Sequence, residues 1–203
     1  MADASARLET GAAGRPFPGE ERSGDRAVVA VAPAGTLVAA IDGLGHGSEA
    51  ADAAATAAGV LEARPGDDLT TLVGGCHAAL RRSRGVVLTL AWFDLVRGTL
   101  AWTGVGNVEG RLVHAGAAPG TPTEGALTKG GVVGYQLPSI RVTSAELRTG
   151  DVMVLATDGI DSGFAQAIAA GGSAQDIADR ILADHGKQGD DALAVVVRYL
   201  PGE

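Results

Sequence analysis

The chain has 203 residues, 46% apolar, 20% charged and only 3% aromatic, which describes a globular chain long enough to bury its own core. A formal net charge of −8 argues against nucleic acid and anionic membrane as partners, since both need a basic surface. The lone cysteine, Cys76, excludes an internal disulfide, and no apolar run approaches the ~20 residues that cross a bilayer.

The start, MADASARLETG, lacks the basic and apolar blocks of a signal peptide, so the expectation is a cytoplasmic monomer. In chain order, RLETGAA reads as an edge strand and GRPFPGEERSGD as a loop. RAVVAVA and LVAAI then form a hairpin about Pro33 and Ala34, with Pro33 and Gly35 placed for a type I turn. The second strand runs into DGLGHGSEA, where Gly45 to Ala50 fit the loose dinucleotide pattern G-x-G-x-x-A. Asp42 at the strand end equally offers a metal ligand, and the glycines alone permit either reading.

Residues 48–64 have helical spacing, with Ser48 as the cap and Ala50, Ala54, Ala57 and Leu61 on one face. Such small residues imply a helix lying close against a sheet. A second helix is expected over 69–82, with Leu72, Cys76, Ala79 and Leu80 inward. The period then changes: GVVLTLAWFDL, GTLAWTGVG, VEGRLVHA, SIRVTSAEL and DVMVLATDG are strand-like runs divided by Gly, Pro and Asn. Helical spacing returns over 163–170 and 173–185, and DALAVVVRYL closes with a strand. Strands and helices are segregated, so the expected class is α+β in a single domain over 1–203. No second βα unit follows the Gly-rich turn, and the dinucleotide reading loses its support.

Four turns share one chemistry: SGD at Asp25, IDG at Asp42, TDG at Asp158 and GDD at Asp190 and Asp191. Any one of these is ordinary strand punctuation. The hairpin, however, sets Asp25 opposite Asp42, where like charges ~5 Å apart destabilise a sheet. Antiparallel pairing of the strands ending at Asp158 and beginning at Asp190 repeats the arrangement. Such a gathering needs shifted pKa values or cations. An all-oxygen donor set suits Mg²⁺ or Mn²⁺, and the matching chemistry is phosphoryl hydrolysis.

SGD, AAIDGLGHG, GVGNVEGRL, GGVVGYQLP, LATDGID and GDDALAVVV, in this order, resemble the SpoIIE-like branch of the metal-dependent (PPM, type 2C) serine/threonine protein phosphatases, near the small stand-alone phosphatases of the stressosome. The resemblance covers about residues 14–198. It implies an α-β-β-α sandwich of two mostly antiparallel sheets, with two Mn²⁺ or Mg²⁺ ions at one end. By motif match, Asp42 bridges both ions and Gly43 lends its carbonyl; Asp25 ligates the second ion, Asp158 and Asp190 the first, and Asp191 is a weaker candidate. Asp42 and Asp158 are the implied catalytic pair. The implied substrate is a phosphorylated STAS-domain protein of a partner-switching pathway; the alternative is a phosphatase-fold binding module with little turnover. Eukaryotic-type relatives often carry His directly after Asp-Gly, where this chain has Leu44; His46 is read as capping or packing at the turn. No phosphate-binding Arg is evident, leaving Arg15, Arg22, His46 and Asn107 as guesses. GVGNVEG is read first as a hairpin turn and second as a loop bordering the site, and GGVVGYQLP as turns or a substrate-facing loop exposing Tyr135.

Overall fold

The computed structural model describes residues 7–116, 123–125, 128–164, 168 and 171–200. The elements are β1 (Leu8–Arg15), β2 (Asp25–Ala32), β3 (Gly35–Gly43), α1 (Ser48–Ala63), α2 (Leu69–Ala79), β4 (Val86–Asp94), β5 (Thr99–Val105) and β6 (Glu109–Val113). Two short strands follow, β7 (Glu124–Gly125) and β8 (Thr128–Lys129), then β9 (Thr143–Glu146), β10 (Val152–Ala156), α3 (Ala174–His185) and β11 (Ala192–Tyr199).

They build two sheets. One runs β1-β11-β10-β6-β7; the other runs β2-β3-β4-β5-β8, with β9 also paired to β5. Every ladder is antiparallel except the short one between β5 and β8. Helices α1 and α2 cover the six-stranded sheet, and α3 lies on β1 and β11. The architecture is the expected α-β-β-α sandwich, in the α+β class.

Three apolar layers account for it. On β3, Leu37, Ala39 and Ile41 face α1 and α2, while Val38 and Ala40 face the other sheet. On β11, Ala192, Ala194 and Val196 face α3, while Leu193, Val195 and Val197 face the other sheet. Central strands covered on both sides need apolar residues at every position, so these segments read as unbroken apolar runs instead of alternating ones. The alanines of α1 let it settle closely: Ala50, Ala54, Ala57 and Leu61 are all buried. Among the described residues, no helix is long and apolar enough to cross a membrane.

Local expectations are corrected in several places. The cap of α1 is Gly47, with no side-chain hydrogen bond, and Ser48 is the first helical residue. Helix α2 stops at Ala79, which is exposed, because the next turn closes on itself: Ser83 Oγ donates to the Leu80 carbonyl and accepts from the Gly85 amide. Of the helix expected over 163–170, Ser162–Phe164 forms a 3-10 turn and Ile168 is helical, while residues 165–167, 169 and 170 lie outside the described residues. GVGNVEG is not a hairpin. Strand β5 belongs to one sheet and β6 to the other, so this turn carries the chain across the sandwich.

Candidate metal centre

The hairpin register places Asp25 directly opposite Asp42, as the turn position requires. Both sit at the open end of β2 and β3, on the rim of the six-stranded sheet. From the other sheet, Asp158 follows β10, and Asp190 and Asp191 precede β11. The β10–β11 register pairs Ala156 with Ala194, so Asp158 and Asp190 are offset and do not face each other across the ladder. The expected mirror pair is corrected in that respect. Both acids nevertheless open with Asp42 onto one cleft of about 560 Å³, whose walls include Gly45, His46, Gly106, Asn107, Gly131 and Val132.

The glycine after each leading acid has a packing reason. A Cβ on Gly43 would collide with the Ala50 carbonyl of α1, and one on Gly159 with the Asp191 carbonyl. Asp-Gly at these strand ends therefore lets the backbone close up beneath the carboxylates.

The electrostatics are unfavourable for bare carboxylates. Burial pushes Asp42 up to about 8, with Asp25, Asp158, Asp190 and Asp191 adding repulsion. Asp25 rises to about 7, again chiefly through burial, although a hydrogen bond from Thr157 opposes the shift. Asp190 is raised by burial and by Asp158, with Lys187 pulling the other way. Asp191 is buried; its Oδ1 accepts from the Phe17 amide (2.8 Å) and from Ser23 Oγ (3.0 Å), while its Oδ2 has no partner. An orphaned buried oxygen and a repelling oxygen-only cluster fit a hard divalent cation. Among the described residues, no three acidic, His or Cys side chains close around one point in ligating geometry; the acids are gathered at one rim, not converged.

Three residues that hold this rim, Thr157, Lys187 and Phe17, gave no signal in the sequence. Thr157 Oγ1 donates to Asp25 Oδ2 (2.6 Å) and accepts from the Leu193 amide (2.9 Å), joining the two sheets. Lys187 Nζ donates to the Asp158 carbonyl. Phe17 stacks on His46 at 4.3 Å, and His46 Nδ1 meets Glu20 at 3.0 Å, so the loop before β2 clasps the Gly-rich turn. Asn107 Nδ2 donates to Asp158 Oδ2 (2.7 Å), which sets it at the cleft instead of in a plain turn. Arg15 donates to the Lys187 carbonyl and Arg22 pairs with Asp52; neither lines the cleft. Gly130, Gly131 and Val132 form a wall of it, and Tyr135 beyond them is 84% exposed.

Two face-to-face sheets between helices, with a carboxylate-lined cleft at one rim, define the PP2C-type phosphatase fold. Similar solved structures agree. A chain of the bacterial stressosome, a modular system adapted to control secondary messenger signalling, is 28% identical at TM-score 0.86 over 95% of this chain and all of that one. RsbX in complex with magnesium is 19% identical at TM-score 0.83, covering 95% and 96% of the two chains. The catalytic domain of the serine/threonine phosphatase PstP with two manganese ions is 20% identical at TM-score 0.70, covering 96% and 99%. No curated protein sequence matches the chain. The profile of the Stage II sporulation protein E (SpoIIE) family matches residues 32–200, and the chain belongs to that family. Asp25 lies just before the matched segment, and its place rests on the hairpin register and on the hydrogen bond from Thr157.

Proposed function

We propose that this chain is a divalent-metal-dependent phosphoserine/phosphothreonine protein phosphatase, acting on a phosphorylated STAS-domain protein in a bacterial partner-switching pathway of the stressosome type. The observation that carries the reading is that Asp42 from one sheet and Asp158 and Asp190 from the other open onto one cleft, with Asp25 and Asp191 near enough that repulsion adds to burial in raising Asp42. The 28% identity with a stressosome chain supports the pathway, and neighbours holding magnesium or two manganese ions support the cofactor. The whole chain, with its core over about 14–198, acts as one domain.

Two ions, Mn²⁺ or Mg²⁺, would be held by Asp42, the Gly43 carbonyl, Asp25, Asp158, Asp190 and, as the weaker candidate, Asp191, whose Oδ2 has no partner. When bound, such ions supply an acidified water and a clamp on the phosphoryl oxygens. The chain's own part is to hold the acids still. Thr157 fixes Asp25, Asn107 fixes Asp158, and Ser23 with the Phe17 amide fixes Asp191. Gly131 and Val132 bound the cleft on the side of the exposed Tyr135, where a phosphorylated segment enters.

The test is Mn²⁺-dependent phosphate release from a phosphorylated STAS protein. Asp42→Asn and Asp158→Asn should each lower turnover ~10²-fold or more, since several kcal/mol of transition-state stabilisation are lost, with circular dichroism unchanged. Full activity in excess EDTA overturns the reading. The alternative, a binding module of the same pathway, takes its support from the unconverged acids; it predicts calorimetric Mn²⁺ binding with no turnover of an aryl phosphate.

A further inference from the structure

Beside the cleft lies a second depression of about 430 Å³, between the first turns of α1 and the turn that leads into β4. Its charged lining is Glu49, Asp52, Arg82 and Arg84. Both acids are already matched: Arg84 Nε sits 2.5 Å from Glu49, and Arg22 Nη2 sits 2.8 Å from Asp52. Arg82 and its neighbour Arg81 are exposed, and among the described residues no carboxylate pairs with either. Two positive charges are thus left over, in a chain whose net charge is −8.

The turn that presents them is built, not loose. Ser83 ties its amide and hydroxyl to the Leu80 carbonyl and receives the Gly85 amide. It is also fastened to the cleft. The Leu44 amide donates to the Gly85 carbonyl at 3.1 Å, and Arg84 Nη1 lies 2.7 Å from where a Cβ on Gly45 would stand. Gly45 lines the cleft. The Gly-rich turn of the cleft is therefore in contact with the same turn that carries Arg82.

We propose that this groove is a docking site for an acidic segment flanking the phosphorylated residue of the protein substrate, gripped by Arg82, with the exposed Arg81 next to it in the chain adding positive charge. The inference rests on the phosphoprotein phosphatase reading and adds to it a substrate class. It runs against the default, because an acidic segment approaching a chain of formal net charge −8 is otherwise repelled. Arg84 stays with Glu49 and orders the rim; it is not the recruiting charge.

The experiment uses the full chain with Mn²⁺ and three probes: a phosphoserine peptide flanked by Glu, the same peptide flanked by Gln, and an aryl phosphate too small to reach the groove. Wild type should favour the Glu peptide in kcat/KM by ~10-fold at low salt, the effect of a few exposed charge pairs. The preference should vanish in about 1 M salt, where the screening length is about 3 Å. In R82E, and more fully in R81E/R82E, it should reverse through KM, with aryl phosphate turnover unchanged. R64E, an equal charge change at the far end of α1, should keep it. Equal hydrolysis of the two peptides by wild type, or equal loss of preference in R64E, overturns the docking site alone. Parallel loss of aryl phosphate turnover in R82E also overturns it, since that variant then damages the catalytic rim. No hydrolysis of any probe by wild type overturns the phosphatase reading, and the docking site with it.

Discussion

Asp42 and Asp25 carry pKa values of about 8 and about 7 in the folded chain, against 3.8 for an ordinary Asp side chain. A raised acid favours the fold when protonated, so its contribution is fully present below about pH 4 and is lost as pH climbs through 7 and 8. Metal-free protein should therefore melt at progressively lower temperature between pH 5 and pH 8. A divalent ion must displace those protons, so its stabilisation should grow over the same window. Thermal melts with EDTA and with Mn²⁺ at pH 6 and pH 8 check this, and an equal Mn²⁺ shift at both would count against ligation by these two acids. This is also the scale at which the sequence was most informative. Asp25 and Asp42 could be paired by counting outward from Pro33, because a two-residue turn fixes the register on both sides. Thr157, Lys187 and the Phe17–His46 stack could not be read in that way. Each acts on a residue more than twenty positions distant, and no local pattern encodes such a contact.

Among the elements, β3 and β11 were legible because burial on both faces demands unbroken apolar runs. The allocation of strands to sheets was not, since β5 and β6 look like a hairpin and only the sandwich separates them. Asn107 owes its place at the cleft to that crossing. The far end of β6 offers a different test of how elements are tied. His114 Nδ1 meets the buried Asp151 at 2.9 Å, and its Nε2 meets Glu124 at 3.2 Å, so one imidazole links the ends of β6, β7 and β10. Hydrogen bonds to Asp151 and then Glu124 raise the His114 pKa. A histidine raised on folding adds stability that is fully present below its unfolded pKa of ~6.5 and is lost as pH rises through the folded value. His114→Ala should accordingly lower the urea midpoint more at pH 6 than at pH 9. A loss that is the same at both would mean that the ring acts by packing alone.

For the molecule as a whole, the cleft is a joint between two sheets whose apolar faces meet across Val38, Ala40, Leu155 and Val195. Apolar packing is indifferent to small slides, so something polar has to fix how the two carboxylate sets stand to one another. Thr157 is the direct link: it begins the turn after β10, takes the Leu193 amide of its own sheet, and donates to Asp25 of the other. Thr157→Val keeps the shape, strands the buried Leu193 amide and frees Asp25. It should cost about 1–3 kcal/mol, the range for leaving a buried donor unsatisfied. That loss alone does not separate a cross-sheet link from a local one. A double-mutant cycle with Asp25→Ala does, because only the shared hydrogen bond couples the two sites. A coupling of ~1 kcal/mol in metal-free protein, measured by urea unfolding, would identify Thr157–Asp25 as the bond that sets the sheets in catalytic register. Additive losses would assign that task to the apolar layer, and Mn²⁺ affinity should then be unaffected by Thr157→Val.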